Sequence, residues 1–506
     1  MKMVSIFVQR MRADRKWFLM MSLIYGGVFT FCLYRNMSGI TFPVITAVSL
    51  AFSAAFLRRA GISFQKGTIR YFAGIILLGI ATVLTANGFF HFFNCVGILL
   101  LYMMSMAHQL YKDQEWGFAE YVRNFFIMAG TWISSVGDVF RGSGDNKRKE
   151  EENPEDKSAV MWIKQRQIRS VLFGILAAVL LLAVVLPLLM ASDQIFSHIF
   201  NSFFNFFNPF SLFEKIDMWN IIGIGLTFLF GMIFIYAFFA GLFRMNLRGK
   251  AAKKQRRTDP VAGITFAGIL AAVYVVYSGI QILFLFLRLD TGLPEGVTYS
   301  QYAHQGFWQL LAVSLINFAA VLICQMVFDE NRILKMILTV VSVCTCIMIV
   351  SAAYRMLLYV SEYYLTFLRV LVLWFLAVIM IIFFGVIYSI YRRDFGLFRY
   401  ITAVVSVCYI LFSFSRPDAL IAEYNIRHAS EASEFDVYYL MYLSRDTAPI
   451  LAEIDKDEIR DTAVLDSLDT YFRIITEQEQ QMSLREWNYS WEEAGKAARE
   501  WLGLGE

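Results

Sequence analysis

Apolar residues gather along the chain into uninterrupted runs of roughly twenty, the length an α-helix needs to cross about 30 Å of hydrocarbon. These runs predict spans near 17–34, 40–57, 69–86, 88–107, 170–190, 219–243, 261–287, 307–328, 333–354, 368–391 and 399–415, about eleven in all. Two segments fit neither a span nor a polar loop. In 118–140, Phe118, Tyr121, Val122, Phe125, Phe126, Ala129, Trp132, Ile133, Val136 and Phe140 fall on one helical stripe, with Glu120, Arg123, Asn124, Thr131 and Asp138 off it. That pattern predicts an in-plane amphipathic helix at the inner leaflet, with a docked or re-entrant helix as the alternative. In 193–217, Phe and Ile recur every three or four positions and are interrupted by Asn201, Asn205, Asn208 and Pro209, which predicts a Phe-rich interfacial segment on the outer side.

Beyond Arg416 the long apolar runs stop and acids outnumber bases. The pattern remains helical: "PDALIAEYNIRHA" (417–429) with Pro417 at a helix start, "FDVYYLMYLS" (435–444), "DTAPILAEI" (446–454) with Asp446 as N-cap, then longer helices near 457–480 and 483–502. The predicted fold is therefore all-α. A polytopic transmembrane helical bundle occupies residues 1–415, and a small acidic helical extracytoplasmic domain occupies 416–506.

Composition agrees with this. The 506 residues are 58% hydrophobic and only 17% charged, against about 45–50% and about 25% in an ordinary soluble domain. The run Trp17 to Leu33 follows Arg10, Arg12, Arg15 and Lys16 and lacks a small-residue cleavage site after it, so it reads as an uncleaved anchor. Orientation comes from the 45 Lys and Arg residues. With the N-terminus cytoplasmic, most of them fall in inner segments such as "RRAGISFQKGTIR" (58–70), "DNKRKEEENPEDK" (145–157), "RMNLRGKAAKKQRR" (244–257) and "YRRDFGLFR" (391–399). An odd number of crossings then places 416–506 outside the cytoplasm. Positive-inside bias and anionic inner-leaflet lipid account for the basic loops, so nucleic acid is not an expected partner. Membrane lipids and an extracytoplasmic protein are.

The stretches "VTYSQYAHQGFWQLLAV" (297–313), "SAAYRMLLYVSEYYLTFLRV" (351–370), "PDALIAEYNI" (417–426) and "FDVYYLMYLSRDTAPIL" (435–451) occur in that order. Together they resemble an uncharacterised family of bacterial multi-pass membrane proteins grouped as a domain of unknown function, over roughly residues 170–455. The resemblance implies a bacterial cell-membrane protein and supplies no activity. Two residues depart from the family pattern: Tyr364 stands where Gly is usual, and Arg416 replaces a common Asn.

Ile333 to Tyr391 is too long for one crossing and must fold back, with its bend outside near 359–366. Arg355, Glu362 and Arg369 then lie near the outer interface, where Arg is otherwise scarce. At the membrane centre each arginine would cost roughly 2.5–3.5 kcal/mol. The expectation is a salt clamp pairing Arg355 and Arg369 with Glu362, Asp290, Asp193 or Asp418; an anion or headgroup site is the functional alternative. A second outer polar patch comprises Tyr299, Tyr302, His304, Asp418 and Asn425, with His304 the one acid–base candidate.

Catalytic signals are few. The chain has no phosphate-binding glycine loop, no His–Glu zinc helix and no Gly-x-Ser-x-Gly elbow. Cys344 and Cys346 point to opposite sides of a helix and share no metal, so no metal or cofactor is expected. Asn317, Gln281 and Gln325 read as interhelical hydrogen-bonders. The reading is an interaction, sensory or scaffold protein. The alternatives are a transporter or flippase of a lipid or small solute, and an enzyme acting on lipid-linked substrates.

Overall fold

The apolar runs are helices in the computed structural model, which describes residues 9–11, 13–111, 116, 118–139, 218–244, 258–283, 307–392, 394–428, 436–459 and 461–504. In chain order these are α1 (Arg15–Leu33), α2 (Thr41–Arg59), α3 (Thr68–Leu84), α4 (Gly88–Leu110), α5 (Phe118–Ser134), α6 (Met218–Arg244), α7 (Pro260–Gln281) and α8 (Phe307–Val327). They continue as α9 (Arg332–Tyr363), α10 (Phe367–Tyr391), α11 (Leu397–Phe414), α12 (Pro417–His428), α13 (Val437–Tyr442), α14 (Ala448–Ala452), α15 (Thr462–Gln480) and α16 (Tyr489–Leu502). Nine of the described helices are long and apolar enough to cross a bilayer: α1, α2, α4 and α6–α11. The tenth expected span is α3, an apolar helix of 17 residues. The segments near 170–190 and 193–217 lie outside the described residues.

Helix starts obey local chemistry. Asn87, Asp259, Asn331, Asp436, Asp461 and Asn488 each turn a side-chain oxygen onto a first-turn amide of the helix they precede. Inside the spans, small hydroxyls return to the carbonyl one turn back, as in Ser22 to Phe18, Thr30 to Gly26, Ser342 to Leu338 and Thr345 to Val341. No buried hydroxyl among these is left to seek water.

Helices divide into two units. The first holds the described residues of 1–37, 44–64 and 124–247. In it α1 lies along α6 at a crossing where Gly26 faces the Phe228 carbonyl so closely that a Cβ would come within 2.9 Å of the oxygen. Phenylalanine fills the remainder: Phe18 meets Phe56 edge-on at 5.1 Å, and Phe56 meets Phe239 at 4.8 Å. In the predicted in-plane segment, Met128 and Asn124 are buried and the Trp132 indole donates to the Phe234 carbonyl at 3.2 Å. Val122, Phe126 and Ile133 stay exposed. The apolar arc is wider than the surface it packs on, so the buried stripe is rotated from the predicted one and takes in Asn124.

The second unit holds the described residues of 38–43, 65–123 and 248–506. Here α9 runs between α7, α8 and α10, α3 pairs with α4, and α11 lies against α3 and α10. The helices α12–α16 cluster in this same unit around a core of their own that includes Ile421, Leu440, Leu451, Phe472, Ile475 and Trp501. The α9–α10 turn is part of that core's wall, through Tyr364, Leu365, Phe367 and Val370. Helix α9 continues to Tyr363, about two and a half turns past the predicted span limit, and the bend is confined to 364–366.

Interhelical polar contacts follow expectation. Tyr274 of α7 donates to Asn317 Oδ1 at 2.7 Å, and the Asn317 amide donates to Thr345 Oγ1 of α9 at 2.9 Å. Ser389 of α10 donates to Gln325 Oε1 of α8 at 3.3 Å. A layer not foreseen is centred on Asn94: it donates to Thr82 at 3.0 Å and accepts from Tyr409 at 2.9 Å, linking α3, α4 and α11.

Candidate functional site

Two carboxylates, Asp418 and Asp446, are each 1% exposed where α12–α16 meet the ends of the spans of the second unit. Burial at this level resists the charged form, so each oxygen needs a donor. Asp446 has four. Thr85 Oγ1 donates to Oδ2 at 2.5 Å; the Ala86 amide donates to Oδ1 at 3.2 Å, as does the Ser490 hydroxyl; Arg416 Nη2 lies 3.4 Å from Oδ1. These donors come from the α3–α4 turn, from α16 and from the residue between α11 and α12. One side chain thus fastens three connections. The predicted N-cap role does not hold: α14 starts after a 3-10 turn, Arg445–Thr447, and Thr447 occupies the capping position. The Asp446 carboxylate points away from its own helix because four donors on other segments satisfy it.

Asp418 accepts from Asn87 Nδ2 at 2.8 Å and from the Ser444 amide at 3.1 Å, both on Oδ2. Its Oδ1 is buried with no hydrogen-bond partner, and so is the Ser444 hydroxyl oxygen. Burial pushes the Asp418 carboxyl above the usual carboxylate range, and the negative charge of Asp446 adds to the rise. Arg416 pairs with Asp446 alone of the two acids, and it also lies over the Tyr489 ring at 5.5 Å.

Asn87 and Asn488 each serve two purposes. Asn87 caps α4 through Oδ1, which accepts from Phe89 N at 2.8 Å, while its amide reaches Asp418. Asn488 caps α16 through Oδ1 and donates its amide to the carbonyls of Ser38, Thr82 and Thr85 at 2.9–3.3 Å. A backbone bond from Ile40 N to Trp487 O at 2.8 Å completes the junction beside the start of α2.

The α9–α10 turn is gripped by the same helices. Asn425 of α12 accepts from Leu365 N at 2.8 Å and donates to Leu365 O at 3.0 Å, taking the place of a paired strand residue. The Tyr439 hydroxyl accepts from Phe367 N at 2.8 Å, satisfying an amide at the α10 start. Arg369 donates to the carbonyls of Tyr363 and Tyr364 and rests over the Tyr359 ring at 4.3 Å. It caps the α9 carbonyls.

Of the sequence-derived residues, Asp418, Asn425 and Arg369 stand in this junction. Arg355 does not. It is buried on α9, where its Nη2 lies 3.2 Å from Gln281 Oε1, an atom that also accepts from Ser351 at 2.6 Å. Glu362 is exposed and makes no ion pair with a described residue. Asp290, Tyr299, Tyr302 and His304 lie outside the described residues, as does Asp193. Thr85, Asn87, Asn488 and Ser490 were not singled out in the sequence. The asparagines carry a capping signal that sequence reading can find, whereas their second bonds reach hundreds of residues away and leave no local trace.

Two turn residues have left-handed backbones that side chains resist. Tyr364 has φ 60° and ψ 179°, and Arg416 has φ 49°. They are the two positions at which the sequence is expected to depart from the family pattern, Gly and Asn being the residues that adopt positive φ most readily.

Among the described residues no group of three His, Cys, Asp or Glu side chains is placed to hold a metal ion. A groove of about 530 Å3 lies elsewhere, at the start of α9, lined by Glu330, Asn331, Arg332, Lys335, Met336 and Tyr391. A family model described as a domain of unknown function (DUF4153) matches residues 72–454. No curated protein and no solved structure matches the chain.

Proposed function

The chain belongs to that family, whose activity is undefined, and is an integral membrane protein with an all-α polytopic bundle; within this frame we propose that it is an interaction, sensory or scaffold protein presenting α12–α16 outside the cytoplasm. The observation that carries the reading is the four-donor seat of Asp446, which fixes the C-terminal helices to the ends of the spans. A tethered but loosely held module would need no buried carboxylate. Both acids are enclosed rather than set in a cleft, which disfavours acid–base chemistry on a bound substrate. The polar groups at the level of Asn317 bond to one another across three helices, which disfavours a water-filled path for transport.

The side of the membrane follows from the lysine and arginine bias. Four connections in the second unit meet α12–α16: the 38–43 segment, the α3–α4 turn, the α9–α10 turn and the end of α11. The positive-inside assignment groups all four on one face; the shared junction agrees with that grouping, and the basic bias alone makes the face the outer one. The test is cysteine accessibility. Lys496→Cys, exposed on α16, is expected to react with a membrane-impermeant maleimide in intact cells. Reaction only after lysis overturns the orientation. Asn317→Cys is expected to stay unmodified in both states, and its rapid modification would favour a transporter.

A further inference from the structure

The C-terminal helices carry large apolar side chains that neither their own core nor the spans take up. Tyr442 is 88% exposed and Leu484 is 91% exposed, with Tyr438 at 51%. Tyr438 and Tyr442 are one turn apart on α13 and so share a face. Tyr439, on the adjoining side of the same helix, touches Phe367 N, the first residue of the span α10. That contact fixes the height of α13 at the end of a span. Leu484 opens the 3-10 turn Leu484–Glu486, held rigid by the reciprocal Ser483–Glu486 capping box. Three residues later the Trp487 carbonyl accepts from Ile40 N, one residue before the span α2 begins. Leu484 therefore stands at the height of a second span end.

At that height a bilayer passes from hydrocarbon to headgroups, the layer where tyrosine rings are favoured because one edge is apolar and the hydroxyl stays wet. Apolar residues next in the chain to these contacts are exposed as well, Leu368 of α10 and Ile40 just before α2. We infer that Tyr438, Tyr442 and Leu484 form a lipid-contact surface by which the C-terminal helices rest on the headgroup–acyl boundary of the leaflet around them. Their occupant is the bilayer itself, because the fixed height of both patches matches a lipid surface.

Tyr442→Cys and Leu484→Cys, each in a chain whose six native cysteines are replaced by alanine or serine, are labelled with bimane and placed in phosphatidylcholine nanodiscs with and without lipid carrying a 5-doxyl group. Quenching at 442 and 484 is expected to exceed that at Lys496→Cys by about two-fold or more. Equal quenching at the three positions overturns the proposal. Hydroxyl-radical footprinting of the unaltered chain in nanodiscs needs no variant: Tyr442 and Leu484 are expected to be protected at every protein dilution. Oxidation at solvent rates overturns the proposal. Protection that disappears on dilution, with no doxyl quenching, identifies a second copy of the chain and overturns it as well.

Discussion

Replacing Tyr364 with glycine and, separately, with alanine tests the turn on which the α9–α10 hairpin depends. Tyr364 sits at φ 60°, ψ 179°, a region that glycine alone enters without a steric cost of about 1–3 kcal/mol. Its ring is partly buried against the core of the C-terminal helices, so either substitution removes the same packing. The two variants therefore differ in the Cβ and in the unfolded chain. Glycine gives back about 1–3 kcal/mol of strain and loses about 0.5–1 kcal/mol to its freer unfolded state. Tyr364→Gly is expected to be more stable than Tyr364→Ala by about 1 kcal/mol and at most about 2.5 kcal/mol, the reverse of the order at an ordinary loop position. The assay is chemical unfolding in detergent micelles, followed by hydrogen exchange of the Leu365 and Phe367 amides, which bond to Asn425 and Tyr439. Tyr364→Ala equal to or more stable than Tyr364→Gly would refute the backbone argument.

Asp446→Ala strands the donors of Thr85, Ala86, Ser490 and Arg416 and is expected to cost about 3–5 kcal/mol, with Asp446→Asn costing less than half of that; the comparison is read by unfolding monitored at 445–452. Asp418 makes the junction pH-sensitive. Because its folded pKa is raised, its stabilising contribution is complete below the ordinary carboxylate value of 3.8 and is lost as pH rises through the raised value. Asp418→Asn is expected to flatten that decline in a melting-temperature series against pH. Asn317→Leu removes bonds to Tyr274 and Thr345 and is expected to cost about 0.6–1.7 kcal/mol in the same unfolding assay.

Much of the bundle was legible because each helix announces itself locally. Apolar runs mark α1, α2 and α6–α11, Pro417 marks the start of α12, and isolated Asn317, Gln281 and Gln325 mark contacts between neighbours. The junction was legible only in pieces. Asp446 next to "TAPIL" looks like a cap because its nearest neighbours in the chain are amides of a helix start, yet its donors belong to Thr85 and Ser490. Arg369 was expected to seek a carboxylate. It finds two carbonyls five and six residues back, which a charge pattern does not display. The C-terminal helices read as a small acidic helical domain, with no sign of which residues attach it. Their attachment rests on Asn425, which the polar patch includes, and on Tyr439 and Asn488, which are unremarkable in a polar segment.

The bonds from Asn488 to Ser38 and from Asp446 to Thr85 join residues 450 and 361 positions apart. A ribosome making this chain therefore releases the α3–α4 turn long before anything exists to bind it. Through most of synthesis Thr85, Ala86 and Asn87 lack the carboxylates that later bind them, and the turn can close only once Asp418 and Asp446 emerge. Premature termination before residue 418 would yield inserted helices whose α3–α4 turn has met neither of its carboxylates, a ready signal for a quality-control protease.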